Sequence, residues 1–454
     1  MKSSYLGLHS SIPGVILAFS ARLRCIYPHK SVGEPMEEKM NKLAKMITIV
    51  TAGVMCISAL SACGSGSSGS AGESNEILLW SQTTGPDAEN AKKTFDAYNA
   101  TNPKYKVKLV TMKKDTFNAK LATAGRSGKN VPDLAWVASE EVSSWQSQGL
   151  LVDWGSSLDG SKVTEDAYVP SAWKAGQVDG KQYGIPGIMG TWVMYYNKDL
   201  VDEYVPGAMD DGVATFDEIE KAGAAAKADG VYSYANSWGF QNYDNLYLQM
   251  GGEWLNSDGK ISVNNDTSKK VFEEFQKLYE DGYMLPNGED ATKNFLNGKL
   301  IFMPEGTWSL TNVQKATFNW GETFVPQWDA SHLIQCSGAD QFVIIKAAKQ
   351  RSDEKLKGMV DLMTWLQSNQ LEMLKSGANP SSVAMLDNEE YAKMPQSFLL
   401  KDDKAREAVN VITTPGLSYV NAEIDTRNWD MIEGKADIAQ TMNEIQQVAE
   451  QKMK

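Results

Sequence analysis

Glu76-Ile77-Leu78-Leu79-Trp80, Tyr105-Lys106-Val107-Lys108-Leu109-Val110-Thr111 and Pro132-Asp133-Leu134-Ala135-Trp136-Val137 are three short runs whose spacing decides the fold class. The first is unbroken apolar sequence ended by the turn-like Ser81 to Pro86, which reads as a buried strand. The second alternates apolar residues with Lys106 and Lys108, the period of a strand with one solvated face. The third is again short and apolar. Between the first two, Ala88 to Ala100 carries Phe95, Tyr98 and several Ala on one helical face. Thr116 to Ala124 supplies a second helix, and Glu140 to Gln148 a third, stopped by Gly149. Strand and helix alternating three times predict an α/β domain with a parallel sheet and helices on its faces.

Toward the C-terminus the pattern continues. Gly180 to Pro186 followed by Thr191 to Asn197 read as a hairpin and then a strand. Thr215 with Glu218 three residues on is a capping box that starts a helix. Ser268 to Asp281 is helical, while Leu300 to Met303 and Phe342 to Ile345 are strands. Lys355 to Asn369 carries Leu356, Met359, Leu362, Met363 and Leu366 at helical spacing, a core stripe. Ala436 to Gln451 forms a closing helix. No internal repeat is present.

Toward the N-terminus the reading changes. Met40 to Lys45 holds two positive charges, Met46 to Leu60 is uncharged and mostly apolar, and Leu60-Ser61-Ala62-Cys63 ends it in small residues. That order is a secretory signal, and its apolar part is short for a membrane span of about 20 residues. Leu-Ser-Ala-Cys resembles the bacterial lipobox, whose Cys is diacylated and becomes the mature N-terminus. Gly64 to Glu76 is Gly/Ser-rich and serves as a tether. The expected organisation is therefore an over-extended start over 1–39, a lipoprotein signal over 40–62 and a lipid-anchored linker over 63–75. A lipid on Cys63 would hold the folded part at the outer face of the cell membrane.

Without residues 1–62, which carry 7 Lys/Arg and 3 Asp/Glu, the chain keeps 37 basic and 54 acidic residues, a net charge of −17. That balance argues against a nucleic-acid partner. Cys336 and His332 are the only cysteine after Cys63 and the only histidine after His29, so a disulfide framework, a thiol metal site and a histidine-based catalyst have little to draw on. Neither metal nor cofactor is expected.

Several ordered stretches resemble the extracellular solute-binding family of bacterial ABC importers, the group that includes the maltose-binding protein. They are Val131 to Trp136 with Gln148-Gly149-Leu150-Leu151, then Gly180 to Pro186, and then Met194-Tyr195-Tyr196-Asn197-Lys198-Asp199-Leu200. Thr215 to Glu218, Phe295 to Lys299 and Gly306-Thr307-Trp308 complete the set. The resemblance covers nearly all of residues 76–454. It implies a periplasmic-binding-protein-like α/β fold of two lobes, hinged around a central ligand cleft that closes on the ligand. By motif register, one lobe takes residues 76–188 and 341–381, the other 189–340 and 382–454. It also implies a monomer without enzymatic activity that delivers a carbohydrate, an oligosaccharide, to the permease subunits of an ABC transporter.

A sugar offers hydroxyls and an apolar ring face, so its site needs flat aromatics and planar polar groups. All 13 Trp lie after the linker. Ligands of open α/β sheets sit beyond the carboxyl ends of strands, which singles out Gln82, with Trp80 as wall or platform, and Asp340 near the proposed crossover. The family register implies sugar contacts at Glu140 and Glu141, against the alternative of a negative helix N-terminus. It places stacking aromatics at Trp308 and Trp429. Arg427 can fork two hydroxyls, or form a surface ion pair. Trp238, Gln241, Asn242, Tyr243 and Asp244 have the composition of a cleft wall, with Tyr243 and Asp244 as contacts. Two other readings stay open: the same fold holding a polyamine, peptide or glycerophosphoester, and a surface glycosidase with two carboxylates across the cleft.

Overall fold

Strand β1 (Glu76–Ser81) runs parallel to its two neighbours, β2 (Lys106–Thr111) and β3 (Leu134–Val137). Helices α1 (Gly85–Ala100), α2 (Lys114–Ser127) and α3 (Ser139–Ser147) follow the three strands in turn. The computed structural model describes residues 74–411 and 413–453. The readings placed on residues 1–73, which include the extended start, the signal and Cys63, lie outside the described residues.

Four later strands complete the frame: β4 (Gly184–Asn197), β5 (Phe302–Gly306), β6 (Trp320–Thr323) and β7 (Gln335–Ile345). β7 lies antiparallel beside β3, with Val343 opposite Ala135, and β4 lies antiparallel beside β7, with Ile185 opposite Phe342. The expectation of a parallel sheet thus holds for β1–β3 and is corrected beyond them. β7 follows β3 only after a long intervening stretch of chain, not through a single βαβ crossover, the connection that imposes the parallel sense.

The expected hairpin over Gly180 to Pro186 with a separate strand from Thr191 is also corrected. Gly184–Asn197 is one continuous strand, and the short hairpin pairs Gln177–Val178 with Lys181–Gln182. Gly187 and Gly190 look like turn residues but serve close packing. A Cβ on Gly187 would fall 2.9 Å from the Phe342 ring, and one on Gly190 would fall 3.3 Å from the Trp308 ring. The first half of β4 pairs with β7; its second half pairs with β5 and β6, Trp192 opposite Gly306 and Tyr195 opposite both Met303 and Glu322.

Two lobes result. The first is cored by Ile77, Leu79, Phe95, Trp136, Phe342 and the stripe Met359, Leu362, Met363 and Leu366 of a helix that begins at Asp353. The second is cored by Phe216, Ile219, Tyr243, Tyr247, Phe272 and Phe275, with Ile424 and Met431. Helix α4 (Phe216–Ala226) starts at the capping box read from the sequence, with Thr215 accepting from the Glu218 amide and the Glu218 carboxylate accepting from the Thr215 amide.

Helices α5 (Gly239–Gln249), α6 (Asp266–Glu280), α7 (Asp353–Leu366), α8 (Leu417–Ile432) and α9 (Ile438–Lys452) complete the frame. The periodicity did not announce α5 or α8. In α5 the apolar positions Phe240, Tyr243, Leu246 and Tyr247 are interleaved with the buried polar residues Gln241, Asn242, Asp244 and Asn245, which blurs the stripe. In α8 the buried face is interrupted by Asn428.

Candidate functional site

The wall contributed by the first lobe is built from the carboxyl ends of its parallel strands. Gln82 follows β1, Asp87 lies in the first turn of α1, Lys114 opens α2 just after β2, and Glu140 lies in the first turn of α3 just after β3. Asp340, on β7, faces this group. Burial pushes its carboxyl up to about 8, and repulsion from Glu140 and then Asp87 adds to the shift, with the Lys114 charge opposing. Glu141 is also raised, first by burial and then by Glu140. Lys114 acts on Asp340 and Glu141 and also on Asp425, which belongs to α8 in the second lobe. Its charge thus opposes the burial-driven rise of carboxyls on α3, β7 and α8.

Where β4 passes from one lobe to the other, three indoles meet edge to face. Trp192 and Trp308 are 5.2 Å apart at 89°, Trp238 and Trp308 are 5.6 Å apart at 82°, and Trp192 and Trp238 are 6.3 Å apart at 73°. Aromatic edges and faces attract in this geometry because ring edges are positive and faces negative. The Trp308 ring rests on glycine backbone: a Cβ on Gly306 would fall 2.1 Å from it. Trp238 donates its indole N–H to Glu305, which also accepts from the Gly306 amide at 2.8 Å. Burial still raises the Glu305 carboxyl, and those two hydrogen bonds oppose it.

Two cavities open around these indoles. A cavity of about 350 Å³ is lined by Asn236, Trp238, Asp290, Glu305 and Trp429. A smaller one of about 50 Å³ is lined by Glu140 of the first lobe, Gln241 and Asp244 of α5, Cys336 of β7, Asn421 of α8 and Trp192. Burial pushes the Asp244 carboxyl up to about 7, opposed by a hydrogen bond from the Cys336 thiol. Among the described residues no group of three His, Cys, Asp or Glu side chains is arranged to hold a metal ion.

Of the residues in the sequence reading, Glu140 and Asp244 line the smaller cavity and Trp429 the larger, Trp308 packs on Trp192 and Trp238, Asp340 lies near enough to Glu140 to feel its charge, and Gln82 is half-buried in the loop beyond β1. The others fall elsewhere. Tyr243 is fully buried among Tyr247 and Phe272, its hydroxyl 2.7 Å from that of Ser268, so it is a core residue. Glu141 accepts from Trp145 one turn along α3 at 2.8 Å. Arg427 is taken up by Glu444 at 2.8 Å and Glu423 at 3.1 Å, the ion-pair alternative. Trp80 packs on the wall around Phe117 and Val137. Trp429 and Arg427 lie in α8, just before the closing helix α9.

Sequence reasoning missed Asp87, Lys114, Trp192, Glu305 and Asn421. Asp87 and Lys114 obey the same strand-end rule that singled out Gln82. Trp192 was hidden because its strand was read as structural, and Asn421 because α8 was not recognised.

Three comparisons bear on this geometry. Residues 93–398 match the family model described as bacterial extracellular solute-binding protein. The galactooligosaccharide-binding protein of Bacillus subtilis is 22% identical over 394 residues, covering 84% of this chain and 90% of the relative. A maltooligosaccharide ABC transporter solute-binding lipoprotein of Streptococcus pneumoniae serotype 4 is 26% identical over 358 residues, covering 72% and 77%. Matches to putative binding proteins of Brucella are shorter and span 55% of those relatives' length. Among solved structures, the sugar-binding protein MalE from Xanthomonas citri superposes with a TM-score of 0.70 at 19% identity, over 83% of this chain and 96% of that one. The cyclic alpha-maltosyl-1,6-maltose binding protein from Arthrobacter globiformis gives 0.68 at 20% identity, over 83% and 98%. At those identities the structures establish the fold.

Proposed function

We propose that this chain, which belongs to the bacterial extracellular solute-binding protein family, captures an oligosaccharide outside the cell and delivers it to the permease of an ABC importer. The observation that carries the sugar reading is the meeting of Trp192, Trp238 and Trp308 between the lobes, beside Glu140, Asp244, Glu305 and Asp340. Aromatic faces answer the apolar face of a pyranose, and carboxylates and amides answer its hydroxyls. The names of the relatives, galactooligosaccharide- and maltooligosaccharide-binding, support the same class. The larger cavity extends past Trp238 to Trp429, which favours a ligand of more than one ring.

In this reading the chain is a monomeric carrier without catalytic activity. Its lobes divide near residues 188/189 and 340/341, in β4 and β7, and again near 381/382, and their closure over the ligand is the signal to the permease. Cys63 carries the lipid that keeps the carrier at the membrane. No helix among the described residues is long and apolar enough to cross a membrane, so this reading puts attachment on Cys63 and the tether.

The test is a thermal-shift screen against oligosaccharides with product formation followed in the same tubes. A ligand that binds only the folded state raises the melting point through linkage. A rise with at least one oligosaccharide, and no cleavage, supports the carrier reading. Turnover would mean a glycosidase. A rise with spermidine or peptides and with no sugar would mean a carrier of another class.

A further inference from the structure

The end of the first lobe opposite the cleft carries a charge of the other sign from the chain as a whole. β1, β2 and β3 are parallel, so their amino ends point the same way, and β7, antiparallel to β3, brings its carboxyl end at Ile345 beside them. The strand order β7-β3-β1-β2, at about 4.8 Å per strand, makes this end about 15 Å across. In the segments at and just beyond it, residues 74–76, 101–106, 126–133 and 345–355, 8 residues are Lys or Arg and 4 are Asp or Glu. Half of the cations are engaged. Arg351 and Lys355 hold the buried Asp133, Lys104 pairs with Glu354, and Lys106 sits opposite Glu76 in the β1–β2 register. The other four, Arg126, Lys129, Lys346 and Lys349, are exposed and have no ion pair among the described residues.

These four come from two turns that are joined by a hydrogen bond, the Ala348 amide donating to the Gly128 carbonyl at 2.8 Å. Arg126 and Lys346 both line a cavity of about 440 Å³, together with Ser127, Gly128 and Gly149, and no carboxylate among the described residues lines it. Arg126 lies in the last turn of α2, where a cation also steadies the helix dipole. That reason does not extend to Lys346 and Lys349, which follow a strand. The chain's own connectivity says which anion this face meets. Ser74 leads into β1 at this end, and Cys63 lies eleven residues before it, a reach of at most about 40 Å. The cleft wall lies at the other end of the six-residue β1, about 20 Å further on. A lipid on Cys63 thus holds the basic end nearest the bilayer. A chain carrying −17 from Cys63 onward is repelled by anionic lipid everywhere except through a positive face.

Resting on the reading that Cys63 is lipidated, we infer that the face made by Arg126, Lys129, Lys346 and Lys349 seats the first lobe on the anionic headgroups of the membrane that tethers it. A lipid phosphodiester lies in the recess between Arg126 and Lys346, and the cleft is turned outward, toward incoming solute. Exposed charges are screened by salt, so the contact is reversible and leaves the carrier free to lift off to its permease.

The test is flotation of the full mature chain, as its unlipidated Cys63→Ala form, with vesicles of equal parts phosphatidylglycerol and phosphatidylcholine. Without acyl chains, binding reads the face alone. Expected is flotation at about 20 mM salt that is lost at about 300 mM, and none with phosphatidylcholine alone. Each basic residue near an anionic surface strengthens binding about fivefold, so Arg126→Glu, Lys129→Glu, Lys346→Glu and Lys349→Glu together should weaken it by at least about tenfold. The control reverses four exposed lysines of the second lobe, Lys221, Lys260, Lys299 and Lys315, which changes the net charge equally and should weaken binding far less. Melting curves check that both variants fold, and the two pairs, Arg126→Glu with Lys129→Glu and Lys346→Glu with Lys349→Glu, are made separately if the quadruple does not. No flotation, equal flotation with phosphatidylcholine, or equal weakening by the control overturns the inference. So does binding to lipoteichoic acid with none to vesicles, which would make a wall polymer the occupant. Fatty-acid labelling of the unsubstituted chain reads the anchor separately: no label on Cys63 sinks the anchoring reading and the inference with it, whereas label without face-dependent flotation sinks the inference alone.

Discussion

Replacing Trp308 by Ala separates a ligand platform from a structural indole. Trp308 is half-buried and touches two neighbours edge to face, Trp192 and Trp238. Such pairs contribute about 0.5–1.5 kcal/mol each, so Trp308→Ala should lower the stability of the unliganded protein by about 1–3 kcal/mol. That is less than the roughly 3–5 kcal/mol of a fully buried aromatic. Affinity for the best oligosaccharide should fall by a further 1–3 kcal/mol, about 5- to 150-fold. Urea unfolding of the apo protein gives the first number and calorimetric titration the second. Unchanged affinity, or a stability loss in the roughly 3–5 kcal/mol range of a fully buried aromatic, refutes the platform. Gly306→Ala is the companion. Its backbone (φ −80°, ψ 148°) suits any residue, but the new Cβ would lie 2.1 Å from the indole. Affinity should drop although Trp308 itself is intact; an unaffected Gly306→Ala protein would show that the β5 backbone does not position the ring.

Asp133 accepts from Arg351 at 3.0 Å, Lys355 at 2.8 Å and the Leu78 amide at 2.9 Å, all well covered. Asp133→Ala strands two buried cations and should cost about 3–5 kcal/mol in urea unfolding, with ligand affinity at 20 °C unchanged because the site lies at the other end of the strands. The raised carboxyls of Asp340 (about 8) and Asp244 (about 7) give a pH dependence with a definite sign. Between the ordinary carboxylate range near 4 and pH 7–8 the folded state holds more protons than the unfolded one. Apo stability should therefore fall as pH rises through that window, then level off. Asp340→Asn should flatten the slope of melting temperature against pH; an identical slope would show that Asp340 does not carry it. Cys63→Ala should abolish metabolic fatty-acid labelling and release the protein to the medium or leave it unprocessed, and equal labelling would contradict lipidation at that residue.

The first lobe was legible because its signals are local. A buried apolar run, an alternating strand and helical stripes each report on their own segment, and they recur as β1, α1, β2, α2, β3 and α3. The Thr215–Glu218 capping box was legible for the same reason, being a contact across three residues. Segments buried on polar side chains were not legible. Helix α5 buries Gln241, Asn242, Asp244 and Asn245 among Phe240, Tyr243, Leu246 and Tyr247, with Asn245 accepting from the Cys336 amide, and that polar burial blurs its hydrophobic period. Strand β4 reads from the sequence as a hairpin and a separate strand, because Gly187 and Gly190 interrupt its apolar run. In the fold they let Phe342 and Trp308 approach the backbone.

The sequence by itself determined an α/β chain with an ordered set of motifs resembling one family, and it carries the expectation of a secretion signal over 40–62. It also pointed to Trp308, Glu140, Asp244 and Asp340. Only the tertiary structure decided that Trp192, Trp238 and Trp308 face one another, that Tyr243 and Arg427 are spent on the core and on ion pairs, and that Asp87 and Lys114 share the wall with Asp340. The reason is the range of the forces. Helical and strand periodicity is a property of neighbours along the chain. The site is assembled by β4 and β7, two strands more than a hundred residues apart in sequence that pair across both lobes, and the side chains meeting around them depend on that register.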